Sequence, residues 1–183
     1  MKQRTIAKSI EIVGIGLHKG VPVKMKLEPL DSDMGIVFYR VDAGVTIPLK
    51  RENVVDTKMA TVIGKDGVVI STIEHLLSAV YAYGIDNLRV VIDNDEVPVL
   101  DGSSAGYCML IEEAGIKELD KSKKAIKIKK QVEITTPKGK RVTLKPSNRI
   151  VYDFEITFDH PAIGKQNFHF DYSIAEYKEN ISR

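Results

Sequence analysis

One helical segment among many short strand-like segments places the strongest constraint on what this chain can fold into. The segment is STIEHLLSAVYAYGIDN, residues 71–87. Its apolar residues recur at the i, i+3, i+4, i+7 and i+8 spacing of one helix face, and they are Ile73, Leu76, Leu77, Val80 and Tyr81. Gly84 is predicted to end the helix. A helix with one apolar face needs a sheet or another helix to bury it.

Strand-like segments lie on both sides of this helix. KSIEIVG and VPVKMKLEP alternate apolar and polar residues, and Asp66-Gly67 separates two β-branched runs, as in a β-hairpin. NLRVVID predicts a further strand, and VPVLDGSSAGYCMLIEEAG predicts a turn and a second helix. That helix is expected to begin at Ser103 or Ser104 and to stop at Gly115. Strands with two helices on one face predict the α+β class.

The sequence pattern changes near residue 120, which predicts a domain boundary. The lysine-rich segment ELDKSKKAIKIKK leads into several strand-like segments. We therefore predict a first α+β domain over residues 1–120 and the start of a second domain, mainly strands, over residues 121–183. Alternating Ile and Lys favours a half-exposed strand over a patch for anionic lipid or nucleic acid. Ser173 and Glu176 predict the start of a helix near the last residues.

Composition excludes several classes of function. The chain has 27 basic and 25 acidic residues, a formal net charge of +2, so nothing in its charge favours nucleic-acid binding. No segment approaches the roughly 20 apolar residues of a membrane-spanning helix. The single cysteine, Cys108, lies in an apolar run, which favours a reduced core thiol over a nucleophile. These features predict a soluble, cytoplasmic protein.

The adjacent pair Glu74 and His75 has two interpretations on the residues alone. Ser71 and Glu74 have the spacing of a capping box, in which the serine hydroxyl and the glutamate carboxylate each accept from the other residue's N–H. A single histidine is a weak metal signal, because a catalytic zinc generally has three protein ligands. The other histidines show no i, i+4 pair; they are His18, His160 and His169. The residues alone favour the cap and leave a metal site open.

Collinear segments across the chain together resemble the zinc-dependent UDP-3-O-acyl-N-acetylglucosamine deacetylase family of Gram-negative bacteria, which acts in lipid A (lipopolysaccharide) biosynthesis. These segments are QRTIAKSIEIVGIGLHKG, VVDTKMATVI, STIEHLLSAVYAYGIDNL, EVPVLDGSSAGY, FDHPAIGKQ and the final ISR. The resemblance implies two related two-layer α+β domains, each with helices on one face of a mixed sheet. It also implies that the second domain is incomplete in this chain.

The resemblance assigns roles by position. Glu74 becomes the general base and His75 a ligand of Zn²⁺ in hydrolysis of the 2-N-acetyl group, which gives acetate and the free amine. This reverses the preference for a cap at Glu74. His18 is assigned to the substrate-binding site, together with the neighbouring residues Lys58, Met59 and Ala60.

The family's remaining zinc ligands, its catalytic threonine and its general acid have no counterpart before Arg183. We therefore expect an N-terminal portion of such an enzyme, inactive alone, whose second sheet exposes Ile150, Phe154 and Phe158. The implied partner is UDP-3-O-acyl-N-acetylglucosamine, and the implied full-length form is a monomer. Two alternatives stay open: a non-catalytic sugar-nucleotide-binding module and a structural fragment.

Overall fold

Short strands and three α-helices form an α+β structure, which confirms the predicted class. The structure is a computed structural model that describes residues 1–183. The chain packs into two units, one of Met1–Lys123 with Lys178–Arg183 and the other of Lys124–Tyr177. That the two predicted domains have related folds stays a prediction. No helix is long and apolar enough to cross a membrane.

The first unit contains ten strands and two complete α-helices. The strands are β1 Lys2–Ile6, β2 Ile10–Ile15, β3 Pro22–Pro29, β4 Ile36–Arg40, β5 Val45–Pro48, β6 Val54–Asp56, β7 Val62–Lys65, β8 Val68–Ile70, β9 Leu88–Ile92 and β10 Ile116–Ser122. The helices are α1, Glu74–Ala82, and α2, Ala105–Ala114. A 3-10 turn at Arg51–Asn53 precedes β6.

A five-stranded mixed sheet is the largest sheet of this unit. Its strand order is β2-β3-β9-β4-β5. Neighbouring strands are antiparallel except β4 and β9, which are parallel. In β9 the residues that alternate toward the core are Leu88, Val90 and Ile92, all fully buried. Two smaller sheets complete the unit, one of β6-β7-β8 and one of β1 with β10.

The two helices contact each other and bury one face each. The buried residues of α1 are Leu76, Ala79, Val80 and Ala82, and those of α2 are Tyr107, Cys108, Ile111 and Ala114. The core position predicted for Cys108 is thus confirmed. The prediction that Tyr81 is buried is wrong, because Tyr81 is 55% exposed. Tyr81 lies about 100° around the helix from Val80 and so leaves the stripe that Leu76, Ala79 and Val80 occupy.

Local turn and cap signals have the predicted effects. Asp66 and Gly67 join β7 to β8 with positive φ angles of 54° and 79°, as a tight hairpin turn requires. Ser104 occupies the N-cap of α2, and the Ser103 hydroxyl accepts from the Ala105 N–H at 3.1 Å. Gly115 ends this helix with a φ of 72°.

The second unit contains two antiparallel hairpins. They are β11 Val132–Thr135 with β12 Arg141–Leu144, and β13 Val151–Thr157 with β14 Lys165–Asp171. Helix α3, Ile174–Asn180, follows β14, and the Ser173 hydroxyl accepts from the Glu176 N–H at 3.1 Å, as predicted. The predicted partial exposure of three apolar residues is confirmed. Ile150, Phe154 and Phe158 are 48%, 50% and 46% exposed.

Candidate functional site

Glu74 connects the start of α1 to the loop that precedes β7. It is the first residue of the helix, and its side chain is half-buried. Its Oε2 accepts a hydrogen bond from the Thr61 N–H at 3.0 Å, and the Ile73 N–H donates to the Thr61 carbonyl at 3.5 Å. The end of the loop is therefore held against the helix start by two hydrogen bonds.

Three of the predicted site residues lie in the same loop. Lys58, Met59 and Ala60 come directly before Thr61. Lys58 and Met59 are exposed, Met59 at 83%, whereas Ala60 is half-buried. An apolar side chain with that exposure is available for contact with a ligand. The structure thus brings the loop of Lys58, Met59 and Ala60 to the helix start that carries Glu74 and His75.

The capping box considered from the sequence does not form, so that interpretation of Glu74 is wrong. Ile73 occupies the N-cap of α1, and no side chain caps the helix. The Ser71 N–H and hydroxyl both donate to the Asp95 carbonyl, at 2.8 and 3.2 Å. Ser71 also pairs with Glu96 as an isolated parallel β-bridge, so both its backbone and its hydroxyl are bound to the segment of Asp95 and Glu96. The Glu74 carboxylate binds Thr61 instead.

The chain enters α1 through a strained residue. Thr72 has a φ of 58°, in the left-handed region, which a β-branched residue adopts at a cost of about 1–3 kcal/mol. Its side chain is buried, and its hydroxyl donates to Glu96 Oε1 at 3.0 Å. Strain of this kind persists only where surrounding contacts hold it, and here it lies two residues before Glu74.

Glu96 is a buried acidic residue that the sequence analysis did not identify. It is 2% exposed, and it accepts hydrogen bonds from three groups. These are the Thr72 hydroxyl at 3.0 Å, the His18 N–H at 2.9 Å and the Lys19 N–H at 3.3 Å. The turn that carries His18 is thus connected to the segment that leads into α1, while the His18 residue itself stays exposed. Glu96 is one of three acidic residues in the segment DNDEVPVL, so no signal in the sequence distinguishes it from its neighbours.

His75 lies beside Glu74 and within electrostatic range of Asp101. Hydrogen bonds from the Ser103 N–H and hydroxyl, at 3.0 and 2.9 Å, hold the pKa of Asp101 below its usual value. An electrostatic interaction with His75 lowers the pKa of Asp101 further. Asp101 is therefore a second acidic group near the site that the sequence analysis did not identify.

The donors in this chain do not form a complete metal site. No group of three or more His, Cys, Asp and Glu side chains is arranged to hold a metal ion. A catalytic zinc needs about three protein ligands, and His75 supplies one imidazole. The backbone N–H of His18 donates to Glu96, and His169 in the second unit pairs with Asp153 at 2.6 Å. The residues present therefore do not fit a zinc site by themselves.

Comparison of the sequence with known proteins identifies the family of the chain. Residues 3–183 match the family model for UDP-3-O-acyl N-acetylglycosamine deacetylase. The chain is 87% identical over its whole length to the UDP-3-O-acyl-N-acetylglucosamine deacetylase of Aliarcobacter butzleri, of which it covers 61%. The proteins of that name from Nautilia profundicola and Helicobacter pylori are 62% and 60% identical to the whole chain, which covers 62% of each. The chain thus spans about six tenths of the length of these relatives, and it belongs to the UDP-3-O-acyl N-acetylglycosamine deacetylase family.

Proposed function

We propose that the protein containing this chain hydrolyses the 2-N-acetyl group of UDP-3-O-acyl-N-acetylglucosamine, giving acetate and the free amine. One observation carries the proposal: the Glu74 carboxylate is fixed at the start of α1, beside His75, by the Thr61 N–H. The names of the relatives support the substrate. The reaction is a step of lipid A synthesis, which we assign to the cytoplasm of a Gram-negative bacterium.

The hydrogen bond that holds the Glu74 carboxylate supports a role as proton acceptor. Glu74 Oε2 accepts a hydrogen bond from the Thr61 N–H at 3.0 Å. A carboxylate held through one oxygen can accept a proton from a water molecule with the other, while that water attacks the amide carbonyl. General base catalysis of this kind contributes roughly 10²- to 10⁴-fold to a rate.

His75 is proposed as one ligand of a zinc ion in the whole enzyme. A half-buried imidazole next to an oriented carboxylate suits that role, and zinc would supply Lewis-acid chemistry. Because residues 1–183 contain no complete set of ligands, the proposal assigns the others to the remainder of the longer protein. It follows that the 183-residue chain is inactive alone.

The substrate contacts are proposed for both segments that are connected to the start of α1. Lys58, Met59 and Ala60 precede the Thr61 amide that binds Glu74, so a ligand touching this loop lies near the carboxylate. His18 is held by way of Glu96 and Thr72. The full-length enzyme is proposed to act as a monomer.

Acetate release from UDP-3-O-acyl-N-acetylglucosamine by the full-length protein tests this function. Glu74→Gln should lower the rate at least ~100-fold, because the amide cannot accept the proton. The matched control is Glu113→Gln, an exposed glutamate on α2, which should leave the rate unchanged. Equal rates for wild type and Glu74→Gln would refute the role of Glu74. Substrate binding without acetate release by the wild type would instead favour a non-catalytic sugar-nucleotide-binding module.

A further inference from the structure

We propose that Glu96 is a positioning residue for this reaction, which fixes the turn carrying His18 against the segment that leads into Glu74 and His75. The inference rests on the proposed function. Glu96 is 2% exposed, so it acts through other residues and not by touching substrate.

A single carboxylate oxygen connects the two segments. Glu96 Oε1 accepts both from the His18 N–H at 2.9 Å and from the Thr72 hydroxyl at 3.0 Å. The second oxygen, Oε2, accepts from the Lys19 N–H at 3.3 Å. Hydrogen bonds to a carboxylate are shorter and stronger than those between neutral groups. The positions of His18 and Thr72 are therefore set by the same atom.

The backbone around Glu96 holds the carboxylate in place. On one side the Ser71 N–H donates to the Asp95 carbonyl at 2.8 Å, and the Val97 N–H donates to the Ser71 carbonyl at 3.1 Å. On the other side the Val99 N–H donates to the Ile15 carbonyl at 3.0 Å. The segment that bears Glu96 is thus hydrogen-bonded on both sides, to the segment that leads into α1 and to the strand that leads into the turn of His18.

Gly16 leaves the space that the carboxylate occupies. A Cβ at this position would lie 2.4 Å from Glu96 Oε2 and 2.9 Å from its Cδ, closer than van der Waals contact permits. The turn can therefore approach the carboxylate only because residue 16 has no side chain. This close approach is a second, independent sign that the turn is built around Glu96.

Loss of this arrangement is expected to affect the chemical step. A displacement of about 1 Å at a catalytic group can cost roughly 100-fold in rate. Glu74 lies two residues after Thr72 and is followed by His75, so release of Thr72 lets the start of α1 move. His18 would move with the turn in the same variant.

The test uses Glu96→Gln in the full-length protein. The amide keeps the shape but places an NH₂ group against N–H donors, so kcat should fall about 10- to 100-fold. Glu11→Gln, an exposed glutamate on β2, is the matched control and should keep the wild-type kcat. Ile47→Ala, at a buried position on β5, the edge strand opposite β2 in the five-stranded sheet, controls for lost stability. It should lower the melting temperature but leave the kcat of the folded enzyme unchanged.

A second variant and a second measurement keep the inference open to refutation. Gly16→Ala leaves Glu96 intact but displaces the turn, and it should lower kcat in the same direction. In NMR spectra, Glu96→Gln should shift the amide signals of His18 and Lys19 more than Glu11→Gln does. An unchanged kcat in folded Glu96→Gln, or an equal loss of kcat in Ile47→Ala, would overturn the positioning role.

The proposed function and the positioning role fail in different ways. If Glu74→Gln keeps full activity, the proposed function is wrong. The NMR signals still decide whether Glu96 holds the turn, because they do not depend on turnover. If Glu74→Gln is inactive but the amide signals of His18 and Lys19 stay in place in Glu96→Gln, the positioning role alone is wrong.

Discussion

Replacement of Thr72 separates two opposing energies at the entry to α1. The left-handed φ of 58° costs a β-branched residue about 1–3 kcal/mol, whereas a hydrogen bond to a charged group contributes about 1.5–3 kcal/mol. Thr72→Val keeps the strain and removes the hydroxyl, so it should destabilise the fold by roughly 2 kcal/mol. Thr72→Ser keeps the hydroxyl and removes the branching, so it should match or slightly exceed the wild type. Thr72→Gly loses both terms and should fall between them.

Thermal unfolding followed by circular dichroism measures these differences. For a chain of this length, about 2 kcal/mol corresponds to a fall in Tm of roughly 4–8 °C for Thr72→Val. Thr46→Val, at an exposed position on β5, is the control and should change stability by no more than about 0.5 kcal/mol. If Thr72→Val and Thr72→Ser melt together, the bond to Glu96 does not stabilise this conformation, and the reasoning is refuted.

Two further predictions follow from shifted pKa values. Burial raises the pKa of the Cys108 thiol, so its contribution to stability is present below the ordinary thiol pKa of about 8.5 and is lost as the pH rises above that value. Alkylation of Cys108 at pH 8 should be much slower in the folded protein than in the unfolded protein. Equal rates would contradict a buried thiol. Hydrogen bonds from Lys178 and Tyr83 lower the pKa of Glu112, so its contribution is present above the ordinary value of about 4.3 and is lost on acidification. Lys178→Met should raise the pKa of Glu112 in a carboxyl NMR titration, and an unchanged titration would show that the pair is not formed.

The elements with strong local signals were predictable from the sequence. The apolar spacing after Ser71, the Asp66-Gly67 turn and the Gly115 stop each act within a few residues, and each has the predicted effect apart from the exposed Tyr81. The sheet order was not predictable, because β4 pairs in parallel with β9 across a long stretch of sequence. Pairing at that distance depends on the packing of the whole unit.

The candidate site was predictable only in part. Glu74 and His75 came from the resemblance, while their residues alone favoured a cap. The cap fails because Ser71 is bound to the Asp95 carbonyl, a contact that no local rule contains. Glu96 was missed for the same reason. Its role depends on hydrogen bonds that join its own segment to Ile15 on one side and to Ser71 on the other, and both partners are distant in sequence. Its burial is visible only in the folded structure.

The central claim is that Glu74, at the start of α1, is the general base of the reaction and that His75 beside it is a ligand of zinc. The zinc content of purified, metal-supplemented full-length protein tests it most directly, with His75→Ala beside His160→Ala, an exposed histidine of the second unit. The account predicts about one zinc per wild-type and His160→Ala chain, and far less in His75→Ala. It also predicts little zinc in the 183-residue chain, which lacks a complete ligand set. Full zinc content in His75→Ala would contradict the account.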